Sequence, residues 1–510
     1  MKIAVVGSGV SGLAATWALN EFSGHEVHLF EAEDRPGGHA NTVEFQNKRK
    51  ASTVDVDTGF IVLNPSTYPN FLRFLENQPN VEILPTEMTF SVSRDGGYFE
   101  WAGNNLATVF CQPSRILDAS MWRLVYDVLR FNACARRLIT DETDNELSIG
   151  DYLQRNGYSD AFRDNYLIPM TAAIWSTPPD LCATDFPARP LVQFMHNHHL
   201  LQITGKPSWL TIAGGSKKYV DSITTKLPEG CLHLSTPITS VSTHGIDNGQ
   251  EVVVLRTASG QELVFDRVIM ACHSDTTLAA LRAGGGMSLE EETILGRVRW
   301  NKNEAVLHSD IKFMPKSRLA WSCWNYLTSS VVDKSGRVKA NVDQVSLTYS
   351  MNLLQHISEE KYGPVLVTLN SPAPGPREDK VVGRYRYEHP VISAPTILSQ
   401  EEMPRIQNKR GISYAGAWLG YGFHEDGFTS GLRAAVAFDG VKIPFEILEP
   451  DRAPEDAKIS YVFDLLEASG LRRLLGFSGS FWLGVWVGIL GMFVDLSHLN
   501  EKATFKAKHG

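Results

Sequence analysis

A short apolar run, Ile3-Ala-Val-Val6, leads straight into Gly7, Gly9 and Gly12. Few patterns narrow a fold further. The run reads as a buried parallel strand, and Leu13–Asn20 as the helix that follows it. Between them the first glycine permits a tight turn, the second lets the backbone approach a pyrophosphate, and the third lets helix and strand pack closely. A phosphate group would sit at the N-terminus of that helix, where free N–H groups and the dipole favour an anion. Gly7, Ser8, Gly9, Val10, Ser11 and Gly12 are therefore the first candidate cofactor contacts. Alone, such a segment is only a glycine-rich turn, but here the required context follows. A second strand, Glu26–Phe30, ends at Glu31, about 20 residues past Gly12, where a carboxylate can accept from ribose hydroxyls. Arg35, Gly37, Gly38 and His39 then supply a cation and two more glycines near the phosphates.

At 510 residues the chain exceeds one ordinary core, so two interleaved domains are expected. Apolar residues make up 43% and charged residues 21%, a globular composition. The net charge is −9, and the only basic cluster is Lys48–Lys50, which argues against nucleic acid as a partner. Cys111, Cys134, Cys182, Cys231, Cys272 and Cys323 lie far apart, as buried thiols in a reducing compartment would. Lys2 runs directly into a strand, so no secretory leader is expected, and Pro65 blocks the glycosylation pattern at Asn64. These features favour a catalytic body facing the cytosol.

The C-terminal region has its own signal. Leu474–Val494 carries no formal charge and is long enough to span the hydrocarbon layer. Arg472 and Arg473 flank it on one side and Lys502, Lys506 and Lys508 on the other, which leaves its orientation open. Gly484 and Gly488 have the spacing that lets helices pack closely. A buried core helix or an interfacial segment would satisfy the same composition, since glycines weaken an isolated helix. A single C-terminal membrane anchor is the expectation.

Farther along, Asp57-Thr-Gly-Phe60, Ser413–Trp418 and Gly427–Ala435 join the N-terminal motifs. Together they resemble the amine-oxidase-like flavoprotein superfamily. The resemblance implies FAD, bound noncovalently, because no cysteine follows Cys323 to form a C-terminal cysteinyl link. It implies flavin-side contacts from Gly59, Phe60, Gly416, Asp426 and Ser430. It also implies that Asp266–His273 returns to the sheet, placing Ala271 near the cofactor, and that Pro237–Val241 puts Ile238 beside the adenine. The superfamily often has aspartate where this chain has Ala417, so Glu425 or Asp426 would have to replace that contact.

The fold class implied is α/β: a discontinuous Rossmann-like FAD-binding domain, an interleaved α+β substrate domain and a C-terminal apolar helix. The FAD domain would take 1–70, 206–290 and 405–445. The substrate domain would take 71–205 and 291–404, and 446–510 would be a tail. Met121–Leu138 and Phe162–Ala172 read as helices. Glu304–His308, Ala320–Asn325 and Gln344–Tyr349 read as strands, and Asp141–Glu146 as a solvated loop.

A narrower likeness covers about residues 1–440. Gly37–Thr42, Tyr68-Pro-Asn70, Ile174-Trp-Ser176, Asn197–Gln202, Asn303–His308 and above all Gly420–Gly427 carry it. These runs resemble predicted FAD-dependent oxidoreductases found beside cyclopropane-fatty-acid synthases, and the flavin domain fused to the plant enzymes. That implies a lipid acyl or small-molecule substrate and a lipid methyltransferase as partner.

Within Gly420–Gly427, Tyr421 and Phe423 suit an aromatic wall, His424 a proton donor or acceptor, and Glu425 a neighbouring carboxylate. Tyr421, His424 and Glu425 are thus the candidate catalytic residues, although His424 and Glu425 could equally bind flavin or cap a helix starting near Thr429. His308 is expected to be a satisfied core histidine. His198 and His199 lack a third ligand at useful spacing, so no metal is expected. Three readings stand at this point: an oxidoreductase or isomerase of unsaturated acyl chains, a peroxide-releasing amine oxidase, and a flavin-stabilised module that recruits a partner.

Overall fold

The computed structural model describes residues 1–47, 52–140, 147–175, 186–202, 207–245, 251–332, 338–341, 346–450, 458–492 and 496. The expectations placed on Lys48–Lys50, Asp141–Glu146, Ser176, Cys182, Gln344, Val494 and the three C-terminal lysines lie outside them. The described residues form a mixed α/β protein in two compact units. The first comprises Met1–Thr86, Ser208–Lys302 and Arg386–Pro450; the second comprises Glu87–Pro207, Asn303–Tyr385 and Asp451–Gly510.

The first unit is built on a parallel sheet. Its strands lie in the order Ile412–Tyr414, Arg267–Met270, Lys2–Val6, Glu26–Phe30 and Leu232–His233. Side chains alternate across such a sheet, and here both faces are covered. Ile3, Val5 and Leu29 pack on one side with Leu13, Trp17 and Phe428. Ala4, Val6 and Phe30 pack on the other with Val268 and Met270. Trp17 is the hub of the first side, with Phe22, Phe74, Phe428 and Phe445 at ring-centroid distances of 4.9 to 6.4 Å. Truncating Trp17, Phe74 or Phe428, the fully buried members, to alanine would cost about 3–5 kcal/mol.

Several expected boundaries move, for reasons of packing. Ile83–Thr86 pairs antiparallel with Trp209–Ile212, which keeps the stretch after residue 70 in the first unit. Phe71 and Phe74 of the helix Pro69–Glu76 enter its core. Ile294 and Leu295 pack with Met403 and Ile406, drawing in both 291–302 and 386–404. The described helices past residue 450, Ile459–Ala468 and Leu471–Gly491, group with the second unit.

In the second unit, Phe99–Ala102, Phe90–Arg94, Trp324–Thr328, Ser346–Ser350 and Leu366–Leu369 lie side by side. Ala305–His308 pairs antiparallel with Leu366–Leu369. The strand expected from Ala320 begins only at Trp324, because Arg318–Ala320 is a 3-10 turn. The expected helices appear as Ala119–Cys134 and as Asp160–Phe162, Arg163–Leu167 and Ile168–Trp175 in succession, the middle one a π-turn. The apolar C-terminal segment is a helix, Leu471–Gly491. Its spanning-length apolar window has no buried residue.

Candidate cofactor and active site

Gly7 bends the chain at φ +102° while its N–H donates to the Phe30 carbonyl at 2.8 Å. A Cβ on Gly7 would lie 2.8 Å from the Ala271 carbonyl oxygen, and one on Gly12 only 1.8 Å from that of Gly7. Both positions therefore exclude side chains. Gly9 differs, since a Cβ there would meet nothing within 4 Å. The backbone at Gly9 thus borders open space at the start of the helix Val10–Phe22, which is the room a pyrophosphate needs. Ser8 donates its N–H and its hydroxyl to Glu31 Oε2, at 2.9 and 2.5 Å. The Glu33 N–H reaches Oε1 at 3.0 Å, so the Glu31 carboxylate is held at the end of its strand.

Arg35 braces the next loop, donating through both terminal nitrogens to the Gly38 carbonyl at 3.1 Å and pairing with Glu33 at 3.2 Å. Gly37 donates to the Ser8 carbonyl at 3.0 Å, and Gly38 comes so near Gly9 that its Cβ would lie 3.1 Å from Gly9 Cα. His39 is held through its carbonyl by the Phe60 N–H at 2.9 Å, and a Cβ on Gly59 would clash with that same oxygen at 2.3 Å. The ring of His39 stands 4.9 Å from Tyr387 and 5.1 Å from His389. His39 Nε2 is buried without a hydrogen-bond partner among the described residues. Burial, reinforced by neighbouring histidines, holds its imidazole well below its usual value, so the ring is neutral.

The closing helix starts at His424, five residues earlier than the sequence suggests, and runs to Val436. Gly427 and Gly431 sit one turn apart on it. A Cβ on Gly427 would lie 2.6 Å from Val10 Cγ1, and one on Gly431 would lie 2.1 Å from the Ser11 carbonyl oxygen. The first turns of the two helices therefore abut, and their positive dipole ends meet. Ser430 serves as a brace: its hydroxyl accepts from the Gly416 N–H at 2.9 Å and donates to the Gly427 carbonyl at 2.8 Å. Asp426 accepts from the Phe423 N–H at 2.8 Å and so caps its own helix.

The three candidate catalytic residues separate here. Glu425 turns into the unit. It accepts the backbone N–H groups of Asn70 and Phe71 at 2.8 and 2.9 Å, capping the helix Pro69–Glu76. Burial outweighs these donors and pushes its carboxyl up to about 7. His424 stacks on Phe60 at 3.8 Å and shares a 2.8 Å hydrogen bond between its Nε2 and the Tyr219 hydroxyl. Burial lowers its imidazole to about 3, so it is neutral. Tyr421 stays half-buried on the loop before the helix.

Contacts thus join Gly7–Gly12, Glu31, Arg35, Gly37–His39, Gly59, Phe60, Ala271, Gly416 and Ser430 into one group within the first unit, with Asp426 on the helix start beside them. Ile238 belongs to the flanking antiparallel sheet, packed against the cluster that holds Val6 and Met270. Three partners were not singled out from sequence. Asn70 meets Glu425 and Thr429; Tyr219 bonds His424; and buried Asp57 accepts from Ser216 and Thr42 at 2.6 to 3.1 Å. Asn70 and Asp57 did lie in runs that carried the family resemblance, which was the available signal.

Other candidates resolve as structural. His308 is fully buried, with Nε2 sharing a 2.6 Å hydrogen bond with Thr368 and Nδ1 accepting from the Asp310 N–H at 3.0 Å. His198 stacks on Phe194 and His199 bonds Gln202, both at a helix end. Among the described residues no group of histidine, cysteine and acidic side chains could hold a metal ion. The five described cysteines are free thiols.

Comparison with known proteins agrees with this architecture. The family of flavin containing amine oxidoreductases matches residues 10–281. Over 88 residues the chain is 35% identical to the "Possible lysine-specific histone demethylase 1" of Drosophila melanogaster; the match covers 17% of this chain and 9% of that protein. Solved structures share the fold at low identity. A putrescine oxidase superposes with a TM-score of 0.57 at 15% identity, covering 86% of this chain and 99% of its own. A fatty acid isomerase from P. acnes that produces CLA gives 0.56 at 14%, covering 86% and 98%. A UDP-galactopyranose mutase gives 0.55 at 16%, covering 85% and 93%. With the family model covering more than half of the chain, this protein belongs to the flavin-containing amine oxidoreductases and is an FAD-dependent oxidoreductase.

Proposed function

We propose that the protein acts on unsaturated lipid acyl chains, by desaturation, saturation or double-bond isomerisation. The observation that carries this reading is the helix Leu471–Gly491, long and apolar enough to span a bilayer (mean hydropathy 1.6) and with none of that window buried. A protein seated at a bilayer meets acyl chains at high local concentration. A fatty acid isomerase among the solved structures of this fold, and the likeness to flavoproteins found beside cyclopropane-fatty-acid synthases, point the same way.

The residues fit the cofactor. Gly7–Gly12 would hold the pyrophosphate of FAD, Glu31 the adenosine ribose, and Ile238 the adenine edge. Gly37–His39, Gly59, Phe60, Ala271, Gly416 and Asp426 would border the flavin half, with Arg35 and Ser430 bracing the loops. Attachment is noncovalent; burial pushes the described thiols up, away from the reactive thiolate. When bound, FAD supplies the site with an acceptor and donor of hydride at its N5 position. The protein's part is to exclude water and fix the reacting carbon. His424, neutral and hydrogen-bonded to Tyr219, would form part of an aromatic wall with Phe60. Glu425 orients the Pro69–Glu76 helix. Tyr421 remains the candidate for the substrate face.

Mass spectrometry of cellular lipids, with double-bond positions resolved, tests this reading. Cells with and without the gene should differ in the position or number of acyl double bonds. An unchanged acyl profile, together with hydrogen peroxide release from a small amine, would establish the amine oxidase reading instead, which the family and the putrescine oxidase fold favour.

A further inference from the structure

A helix on the surface of a soluble unit turns its apolar stripe inward and its charges outward. The helix Ile459–Ala468 departs from this. Apart from Phe463, whose ring meets Tyr126 at 5.6 Å, its side-chain ties to the rest of the second unit are mainly polar, and most of its apolar side chains stay exposed. Ser460, Asp464 and Glu467 recur along one side, and that polar side faces the second unit. Ser460 is buried and accepts a hydrogen bond from Arg137 at 2.5 Å. Asp464 takes both terminal nitrogens of Arg137, at 3.0 and 2.7 Å. Glu467 accepts from the Tyr126 hydroxyl at 3.0 Å, pairs with Arg472 at 2.7 Å and has Arg130 at 3.6 Å. The opposite side is open: Ile459, Val462 and Leu465 are 60%, 55% and 70% exposed.

The surface beside it is apolar too. Ala119–Cys134, the helix that supplies Tyr126 and Arg130, exposes Trp122 and Leu129, and the Trp122 indole N–H donates to the carbonyl of exposed Ile116 at 2.8 Å. The helix Leu471–Gly491 starts directly after this joint, tied to it through Arg472 and Glu467. Its aromatic residues Phe477, Phe481, Trp482 and Trp486 are all more than half exposed. Exposed apolar side chains gathered on adjoining helices in this way mark a contact site.

We propose that Ile459–Ala468 is a second membrane element, lying in the interface of the bilayer, and that the Ile116–Trp122 surface is pressed to the same plane. The proposal rests on the reading of Leu471–Gly491 as a membrane segment and goes beyond it. The second unit is then docked, not tethered. The polar joint holds the interfacial helix so that its apolar side faces lipid, and it sets the angle at which the anchor leaves the protein. The occupant is a lipid bilayer because the surface is continuous with a 21-residue helix of spanning length and composition.

The test uses the full-length protein with one introduced cysteine, Leu465→Cys, Trp122→Cys, Trp482→Cys or Val382→Cys, carrying a polarity-sensitive fluorophore. Each is reconstituted into phosphatidylcholine–phosphatidylglycerol vesicles, with and without nitroxide-labelled lipids, and retained FAD absorbance confirms folding. Label at 465 and 122 should shift to the blue and lose roughly half its emission to nitroxides near the headgroups, as interfacial burial requires. Label at 482 should respond to nitroxides deep in the chains, and label at 382 to neither. If 482 is quenched while 465 and 122 behave like 382, the anchor is a simple tether and the docking proposal is wrong. If 482 itself is unquenched, the membrane reading of the last helix falls and takes the proposal with it. A blue shift at 465 without quenching by either nitroxide would mean that a second copy of the chain covers the surface, which also overturns it.

Discussion

Three glycines of the first unit should fail in two different ways when a methyl group is added. In Gly12→Ala the new Cβ would fall 1.8 Å from the Gly7 carbonyl oxygen, and in Gly431→Ala it would fall 2.1 Å from that of Ser11. Relief requires backbone to move by about 1 Å or more, against the same sheet and helix. Overpacking of this kind costs about 1–3 kcal/mol, and rigid backbone neighbours place both variants at the upper end. Gly9→Ala meets nothing within 4 Å, and Gly9 already has φ −64°, which alanine adopts freely. Its apo stability should therefore stay within about 0.5 kcal/mol of wild type. The methyl group would instead occupy the space assigned to the pyrophosphate. If accommodating it costs the same 1–3 kcal/mol in the complex, FAD affinity falls about 5- to 150-fold. Urea unfolding of the apoprotein and flavin fluorescence titration measure the two effects separately. Should Gly9→Ala bind FAD as tightly as wild type, or lose apo stability as Gly12→Ala does, the assignment of that space to the cofactor would be refuted.

Other perturbations probe other parts of the molecule. Glu425 has a folded value of about 7 against 4.5 unfolded, so the native state keeps its proton longer. Its contribution is fully present below about pH 4.5 and is lost as pH rises through about 7, a change of about 3 kcal/mol at 1.36 kcal/mol per unit. Glu425→Gln should flatten that part of the apoprotein stability profile, and an unchanged slope would contradict the burial assigned here. Tyr219→Phe leaves His424 Nε2 buried without its 2.8 Å partner and should cost about 1–3 kcal/mol in chemical unfolding while FAD still binds. Val485→Arg, near the middle of the last helix, should move the protein from the membrane pellet to the soluble fraction, since a central arginine costs about 2.5–3.5 kcal/mol. Release of the wild-type protein by alkaline extraction would argue against a spanning helix.

The nucleotide half of the site was legible because its determinants are local. Gly7, Gly9, Gly12 and Glu31 lie within one strand–helix–strand unit, and their spacing encodes the turn they form. The role of Glu425 was hidden because its partners, Asn70 and Phe71, lie more than 350 residues away. A carboxylate beside a histidine suggests acid–base chemistry until one sees that it caps a distant helix. Ser430 misleads similarly, since its hydroxyl is used up between Gly416 and Gly427. The start of the closing helix escaped notice because Gly422 and Gly427 read as loop, whereas Gly427 serves close packing against Val10. In Ile459–Ala468 an inverted polar side escapes periodicity altogether: the pattern marks a helix but not which side faces water.

The parallel sheet joins the earliest and nearly the latest parts of the chain. Lys2–Val6 has Arg267–Met270 as its neighbour on one side, and that strand has Ile412–Tyr414 beyond it. The helix that packs onto Val10–Phe22 ends at Val436, shortly before the apolar helix begins at Leu471. During synthesis the first unit therefore waits, open, for its last pieces, and the apolar helix Leu471–Gly491 emerges soon after they arrive. Contacts this distant in sequence form slowly. On the proposed membrane reading of that helix, its capture by a membrane or a chaperone would coincide with closure of the cofactor domain, so cofactor supply and membrane delivery would be matched in time during biogenesis.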